Sequence, residues 1–181
     1  MRIVKLGGSL LKTGQIFDCL LKISNSNELT IVVCGGGDFA DEIRKAQKKW
    51  HFDDIAAHEM AILAMQQMAI MCQNLQPEFI ITSSVSEIKT HRHIIWFPTV
   101  SELNAAEIPP TWEITSDSLA AFLAIKLNAN KLVIVKSCDV NSELTAIELT
   151  QRSIVDGMFS EFVEDAIFDW SVISVEEFLK P

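Results

Sequence analysis

Two short apolar segments of this chain end abruptly in glycines, and each is followed by residues with helical spacing. The first is "RIVKLGGSLL", in which residues 2–6 read as a strand before Gly7 and Gly8. The second is "LTIVVCGGGDFADEIR", in which residues 29–34 read as a strand before the glycines at 35–37. A strand that turns through glycine into a helix is a building unit of parallel sheets. Two such units in one chain favour an α/β fold.

Apolar periodicity extends the alternation of strands and helices along most of the chain. It predicts a three-layer αβα sandwich with a mainly parallel sheet, in a single domain over residues 1–181. Asp38 is placed to cap the second helix, and Ser116 or Asp117 lies near the start of the fourth. The predicted strands are 2–6, 29–34, 77–83, 93–98, 131–137 and 171–175, and the predicted helices are 13–24, 38–50, 53–75, 116–128 and 160–170.

Composition excludes several classes of protein. The formal net charge of −9 argues against general binding to nucleic acids or anionic membranes, although a local anion site remains compatible with it. The four cysteines form no C-x-x-C pair, which favours buried thiols in a reducing compartment and no metal site. The N-terminus lacks the long apolar core of a signal peptide, and no run of about 18 uncharged apolar residues is present. These features predict a cytoplasmic protein.

The two glycine turns predict a site for two anions. Glycine allows a ligand to approach the backbone closely, and the unpaired N–H groups at a helix start attract negative charge. In an open parallel sheet both turns lie outside the carboxyl ends of the strands, so both face one crevice. Neither turn matches G-x-x-x-x-G-K-[ST] or G-x-G-x-x-G. Two cradles of this kind would suit two phosphates that must meet, one on a donor and one on an acceptor.

Three blocks of sequence resemble the amino acid kinase family. They are "KLGGSLL", "VVCGGGDFADEIR" and "ITSDSLAAFLAIKLNANKLVIVKSCDV", and they come in the family's order over about three quarters of the chain. The resemblance implies the carbamate kinase-like fold of that family. It also implies an ATP-dependent phosphotransferase that uses ATP and Mg²⁺ and acts on a small molecule.

The resemblance also assigns roles to residues. Lys5 would contact the transferring phosphoryl group, Asp117 would orient the catalytic lysines, and Asp139 would lie at the nucleotide pocket. The donor phosphates would bind the backbone N–H groups of Gly7, Gly8 and Ser9. For Asp117 a plain helix cap is the alternative, and for Arg44 and His58 the alternative is an exposed polar position on a helix. The implied acceptor-binding residues are Gly35, Gly36, Gly37, Asp38, Arg44 and His58.

Two features depart from the family pattern. Many members have a second catalytic lysine in a "GM-x-x-K" segment, but the matching stretch here is "DGMFSE" and Glu161 takes the lysine position. Lys136 ends a predicted strand at the same rim of the sheet, so it is the candidate substitute in catalysis and ATP binding. The chain is also short for the family.

The leading hypothesis is transfer of the γ-phosphoryl group of ATP to a phosphate monoester. The short length and the helix "AHEMAILAMQQMA" resemble the compact branch associated with methanofuran biosynthesis, whose members phosphorylate an aminomethylfuran-methyl phosphate. The alternatives are a carboxylate or carbamate kinase of the same fold and a nucleotide-binding regulatory subunit without activity. Residues 53–75 are apolar on most faces, which predicts a homo-oligomer, a dimer or larger.

Overall fold

The computed structural model, which describes residues 1–88 and 91–181, is built on one sheet of six strands. Every neighbouring pair of strands is parallel, and the order is β3-β4-β2-β1-β5-β6. The two strands that precede the glycine turns, β1 and β2, are therefore neighbours near the middle of the sheet. The strands are β1 Arg2–Leu6, β2 Thr30–Cys34, β3 Ile80–Thr82, β4 His93–Trp96, β5 Lys131–Lys136 and β6 Asp169–Ser174.

Helices connect the strands, and the predicted α/β class is confirmed. Three of the predicted helices, 38–50, 53–75 and 116–128, match α3, α4 and α7 to within one residue at either end. The helices are α1 Leu10–Thr13, α2 Gln15–Ser24, α3 Gly37–Trp50, α4 Asp54–Leu75, α5 Val85–Ile88, α6 Val100–Ala105, α7 Ser116–Leu127, α8 Ala146–Gln151, α9 Phe159–Val163 and α10 Val175–Leu179.

The core forms two layers, one on each face of the sheet. Alternate residues of each strand point to opposite faces, so Ile3 joins one apolar cluster and Val4 the other. Helices α6, α7, α8 and α9 cover the face of Ile3, and helices α1, α2 and α10 cover the face of Val4. This arrangement is the three-layer αβα sandwich that the sequence predicts.

Helix α4 contributes to both layers. Ile62 and Met65 pack in the cluster of Ile3, whereas Met68 and Cys72 pack in the cluster of Val4. By length and composition alone the helix could cross a membrane, but core helices of folded domains meet the same criterion. Its packing is that of a core helix on one side, since it lies against α3 and against strands β2, β3 and β4.

Several predicted boundaries are wrong. The predicted helix 13–24 corresponds to α2, which begins two residues later at Gln15, because Gly14 adopts a left-handed conformation (φ 75°) that ends the separate helix α1. The predicted helix 160–170 stops at Val163, and strand β6 begins at Asp169, where it pairs with Lys131 of β5. Asp38 does not cap α3, since the helix begins after Gly36 and no side chain caps it.

The cysteines differ in burial. All four are free, and Cys19, Cys34 and Cys72 are buried in the core as expected. The Sγ atoms of Cys34 and Cys72 lie 3.7 Å apart. Cys138 contradicts the expectation because it is exposed. It follows the end of β5, where the chain leaves the sheet for a surface loop.

Candidate active site

Strand alternation places two lysines on the same face of the sheet. Lys5 is in β1 and lies opposite Ile134 of β5 in the parallel register, and Lys136 is two residues beyond Ile134. Side chains two residues apart on a strand point to the same face. Lys5, Ile134 and Lys136 therefore all face α7, at the carboxyl edge of the sheet.

Asp117, the second residue of α7, lies between these two lysines. Its Oδ1 is 2.8 Å from Lys5 Nζ, and its Oδ2 accepts a hydrogen bond from Lys136 Nζ at 2.7 Å. The Lys5 contact is an electrostatic one, since Oδ1 has no partner with hydrogen-bond geometry among the described residues. Lys5 and Asp117 are buried, and Lys136 is mostly so. The three side chains form a compact cluster with one net positive charge.

The pKa values follow from this cluster. Burial works to raise the pKa of Asp117, but the two ammonium groups outweigh it, and the pKa is lowered from its usual value. Burial, joined by repulsion from Lys5, lowers the pKa of Lys136, although Asp117 opposes the shift. The carboxylate is therefore ionised and fixed between two cations, which is the arrangement expected of a residue that orients lysines.

The alternative that Asp117 is a plain helix cap is wrong. Thr115 occupies the N-cap position of α7, and the start of the helix is held by Asp156. One Asp156 oxygen accepts hydrogen bonds from Thr115 N (2.9 Å), Thr115 Oγ1 (2.8 Å) and Ser118 N (3.0 Å). The other oxygen accepts from Ser118 Oγ. Asp156 thus fixes the helix start that carries Asp117.

Sequence reasoning missed Asp156. The residue belongs to the "DGMFSE" segment that drew attention only for Glu161. It lies 38 residues from Ser118 in the chain, so no local pattern joins the two. The sequence signal that could have identified Asp156 is an acidic residue directly before Gly157.

In the first glycine turn, the phosphate-binding role predicted for the N–H of Gly7 is wrong. The N–H of Gly7 donates to Val135 O of β5 at 3.1 Å, so it continues the sheet and is not free to bind a phosphate. Among the described residues no acceptor takes the N–H of Gly8 or Ser9, which stay available. The Ser137 hydroxyl donates to Ser9 Oγ at 2.7 Å. A Cβ on Gly7 would lie 3.8 Å from Lys5 Nζ, so the turn adjoins the charged cluster.

The second glycine turn uses its N–H groups in the same way as the first. The N–H of Gly35 donates to Leu6 O of β1 at 3.0 Å and is likewise taken by the sheet. Gly36 and Gly37 then open α3, and Gly37 adopts a positive φ of 55°. No side chain in the described part of the chain caps this helix, so the N–H groups of its first turn are available to bind an anion.

The two turns touch each other. A Cβ built on Gly8 would lie 2.4 Å from both the N and the Cα of Gly37, a distance that no side chain could occupy. A Cβ on Gly35 would lie 3.0 Å from Gly8 N and 3.1 Å from Ser116 Oγ, next to Asp117. Both cradles and the charged cluster therefore meet at one point of the sheet edge.

A cavity of about 220 Å³ opens on the second turn. It is lined by the glycines at 35–37 and by two further predicted acceptor residues, Arg44 and His58. Asp38 does not line it, and its carboxylate lies 3.1 Å from Lys12 Nζ instead. The cavity therefore lies where the sequence predicts that the acceptor binds.

His58 and Arg44 differ in their environments. His58 is buried, which contradicts the alternative of an exposed helix position, and its Nε2 has no hydrogen-bond partner among the described residues. Burial lowers the pKa of its imidazole, which favours the neutral form. Arg44 is half exposed, and its guanidinium lies 4.1 Å over the ring of Trp112. Trp112 in turn donates Nε1–H to Gln47 Oε1 at 2.7 Å.

Two further predicted positions are exposed. Asp139 is exposed in the loop after β5. Glu161 is exposed on α9 and lines a separate, largely apolar cavity of about 540 Å³ beside α7. The position beside Asp117 is taken by Lys136, the candidate substitute for the family's second lysine.

A Mg²⁺ ion would have to arrive with the nucleotide, because both oxygens of Asp117 in the charged cluster already face lysines. Within residues 1–88 and 91–181, no group of three or more His, Cys, Asp or Glu side chains could hold a metal ion. Mg²⁺ is commonly bound by one or two carboxylates together with substrate phosphates. The ion would therefore enter as part of an MgATP substrate, in which it would offset phosphate charge.

The site and the fold together define a phosphotransferase of the αβα type, and comparison with known proteins identifies its family. The model of the amino acid kinase family matches residues 1–141. The chain belongs to the amino acid kinase family, and it is a kinase.

Individual relatives are kinases of small molecules. The [5-(aminomethyl)furan-3-yl]methyl phosphate kinase of Methanocaldococcus jannaschii is 26% identical over 144 residues, which are 77% of this chain and 67% of that protein. This similarity confirms the expected likeness to methanofuran-biosynthesis kinases. Uridylate kinase of Archaeoglobus fulgidus superposes with a TM-score of 0.77 at 19% identity, over 99% of this chain and 94% of that one. UMP kinase of Bacillus anthracis superposes with a TM-score of 0.71 at 16% identity, over 97% and 87% of the two chains.

Proposed function

We propose that this protein transfers the γ-phosphoryl group of ATP to a phosphate monoester and so makes a diphosphate. The observation that carries the proposal is the contact between the two glycine turns, at which a Cβ on Gly8 would meet Gly37 at 2.4 Å. Free N–H groups on both turns would hold two phosphates side by side. Holding two reactants in this way removes much of the entropic barrier to their reaction.

The charged cluster supplies what phosphoryl transfer needs. An oxygen of the acceptor phosphate forms a bond to the γ-phosphorus, and the bond from that phosphorus to the β–γ bridging oxygen breaks, so that ADP leaves with the electron pair. Negative charge is spread over the moving group throughout. The ammonium groups of Lys5 and Lys136 would stabilise it, and Asp117 would hold them in position. Gly8 and Ser9 would bind the donor phosphates, while Gly7 would contribute a close approach and no N–H.

The chemistry of the cluster favours an acceptor that is already ionised. A phosphate monoester carries about −1.5 to −2 charge at pH 7, so its attacking oxygen needs no base. Asp117 has a lowered pKa and is held by two cations, which makes it a poor base for an alcohol. A phosphate or a carboxylate fits this site better than a hydroxyl group does.

The size of the cavity favours a small acceptor. Its volume of about 220 Å³ lies below the roughly 300–1,000 Å³ of sites that hold drug-sized ligands. A single ring with a phosphate suits it better than a nucleoside monophosphate. We therefore propose an aminomethylfuran-methyl phosphate, the acceptor named in the Methanocaldococcus relative. The product would serve methanofuran-type cofactor synthesis in the cytoplasm.

Helix α4 supports a homo-oligomer. One of its faces leaves large apolar residues exposed, among them Ile55 (57%), Leu63 (53%) and Ile70 (56%). Burying such a face against a second copy would remove apolar surface from water. Sedimentation of the full chain should give a dimer or larger species, and a strict monomer at micromolar concentration would contradict this.

Phosphorus NMR of the full chain with MgATP and the acceptor tests the proposed reaction. We expect a diphosphate signal and ADP with the aminomethylfuran-methyl phosphate, and slow turnover or none with UMP. Hydroxylamine should trap nothing, since a trapped product would indicate an acyl phosphate and a carboxylate kinase. Lys5→Met should abolish the signal, and Lys131→Met, an exposed lysine at the other end of β5, should keep it. ATP binding without transfer to any acceptor would support the regulatory alternative.

A further inference from the structure

The acceptor cavity has a carboxylate where a phosphate-binding site would be expected to have only cations. Lys12, Asp41 and Arg44 all line it. Asp41 Oδ2 lies 3.1 Å from Lys12 Nζ, and Asp41 Oδ1 lies 3.5 Å from Arg44 Nη1. One carboxylate therefore contacts both cations that an acceptor phosphate could use.

The charges at this rim cancel. Lys12 and Arg44 carry two positive charges, while Asp41 and Asp38, which also contacts Lys12, carry two negative charges. A phosphate monoester brings a charge of about −1.5 to −2. If it takes Lys12 and Arg44, Asp41 loses its partners and lies beside a dianion, which is repulsive. An acceptor with a phosphate alone is therefore disfavoured at this rim.

An acceptor that carries its own cation removes this repulsion. We propose that Asp41 selects zwitterionic acceptors: the phosphate binds Arg44, Lys12 and the free N–H groups of α3, and an ammonium group of the same molecule binds Asp41. The inference rests on the proposed phosphate-acceptor function, and it names Asp41 as the residue that binds the positive charge of the substrate. The substrate class is a small phosphate monoester with an amino group.

Asp41 is better suited to this role than its neighbours. It lines the cavity, whereas Asp38 does not. Arg44 is also held by the face of Trp112 at 4.1 Å, and the Trp112 ring is itself fixed by Gln47. Arg44 can therefore keep its place when the phosphate arrives, while Asp41 exchanges its longer 3.5 Å contact for the ammonium group.

The test compares two acceptors and three proteins. The acceptors are the aminomethylfuran-methyl phosphate and the same compound with a methyl group in place of the aminomethyl group. The proteins are the wild type, Asp41→Asn and Glu42→Gln. Glu42 is the matched control, because it lies on the same helix, pairs with Lys45 Nζ at 2.6 Å and does not line the cavity. Both kcat/KM and the calorimetric Kd are measured for each combination.

The wild type and Glu42→Gln should prefer the amino acceptor by up to about fivefold in both quantities, the upper end of the range expected of a single exposed ion pair. Asp41→Asn should lose that preference, chiefly by binding the methyl compound more tightly. An unchanged preference in Asp41→Asn would overturn the inference and leave the kinase function intact. If neither compound is phosphorylated but the calorimetric preference depends on Asp41, the inference stands and the proposed reaction fails.

Discussion

The two glycine turns look alike in sequence but differ in structure. The first is followed by a helix of only four residues that ends at Gly14, and the second by a helix of 14 residues. In each turn the first glycine gives its N–H to a neighbouring strand, Gly7 to β5 and Gly35 to β1. Among the described residues no acceptor takes the N–H of Gly8 or Ser9 or the N–H groups of the first turn of α3, and the two turns meet where Gly8 lies against Gly37.

This structural difference indicates that the two turns have different tasks, although their sequence motifs are alike. The first turn adjoins Lys5, and it is the side of the site that carries the charged cluster. The second turn opens a long uncapped helix and, together with Gly8 and Ser9, lines the cavity, and we propose that its side of the site selects the acceptor. Changes on the first side should therefore reduce turnover, and changes on the second side should alter the affinity for the acceptor. Variants on the two sides test this separation.

The largest effect is expected from Lys5→Met. The change removes one of two ammonium groups beside Asp117, at a buried position where charge stabilisation is strong. We expect kcat to fall by at least about 10²–10³-fold, the usual cost of losing one preorganised donor, with the acceptor Kd nearly unchanged. Single-turnover kinetics and calorimetry measure the two quantities.

Lys131→Met is the control for Lys5→Met, since it also removes a strand lysine but at an exposed site. Its kcat should match that of the wild type. If the Lys5→Met protein has a normal kcat and a native circular dichroism spectrum, the residues beside the first turn do not catalyse the transfer.

An intermediate effect is expected from alanine at the glycine contact. In Gly8→Ala the new Cβ must displace the backbone of Gly37, so the two turns separate. In Gly37→Ala the Cβ meets Met68 Sδ at 3.2 Å, which a flexible side chain can accommodate, and the positive φ adds strain of about 1–2 kcal/mol. We expect Gly8→Ala to lower kcat/KM about tenfold or more and Gly37→Ala to lower it less, mainly through KM.

Gly14→Ala is the matched control for this pair. Gly14 also has a positive φ, 75°, but an added Cβ would meet nothing within 4 Å. It reports the cost of left-handed strain alone, as a lower melting temperature with normal kcat/KM. If Gly8→Ala behaves like Gly14→Ala, contact between the turns has no part in the reaction.

The strand and helix order could be predicted because most elements are long enough to show a period. Alternation along a strand also accounts for the shared face of Lys5 and Lys136, once β1 and β5 are paired. The short helices α6, α8 and α10 could not be found in this way, since five or six residues span little more than one turn.

Other features of the site could not be predicted because they depend on contacts between residues that are far apart in the chain. Which N–H of a glycine turn is free depends on the strands that flank β1, and sequence does not state that β5 and β2 are its neighbours. The hydrogen bonds from Thr115 and Ser118 to Asp156 join segments far apart in the chain. Lys12, Asp41 and Trp112 each look like ordinary surface residues until the fold brings them to one cavity.

The smallest effect is expected at the position that departs from the family. Glu161 takes the place of the second catalytic lysine in sequence, but it is exposed on α9, and Lys136 contacts Asp117 at 2.7 Å. Glu161→Gln should therefore change kcat less than about twofold, the range expected of a surface substitution. Lys136→Met, measured beside it, should lower kcat by about 10²-fold, because it removes the second ammonium group of the cluster. If Glu161→Lys restored activity to the Lys136→Met protein, α9 would reach the reacting phosphates, and the chemistry would not belong to the first turn and its neighbouring strand alone.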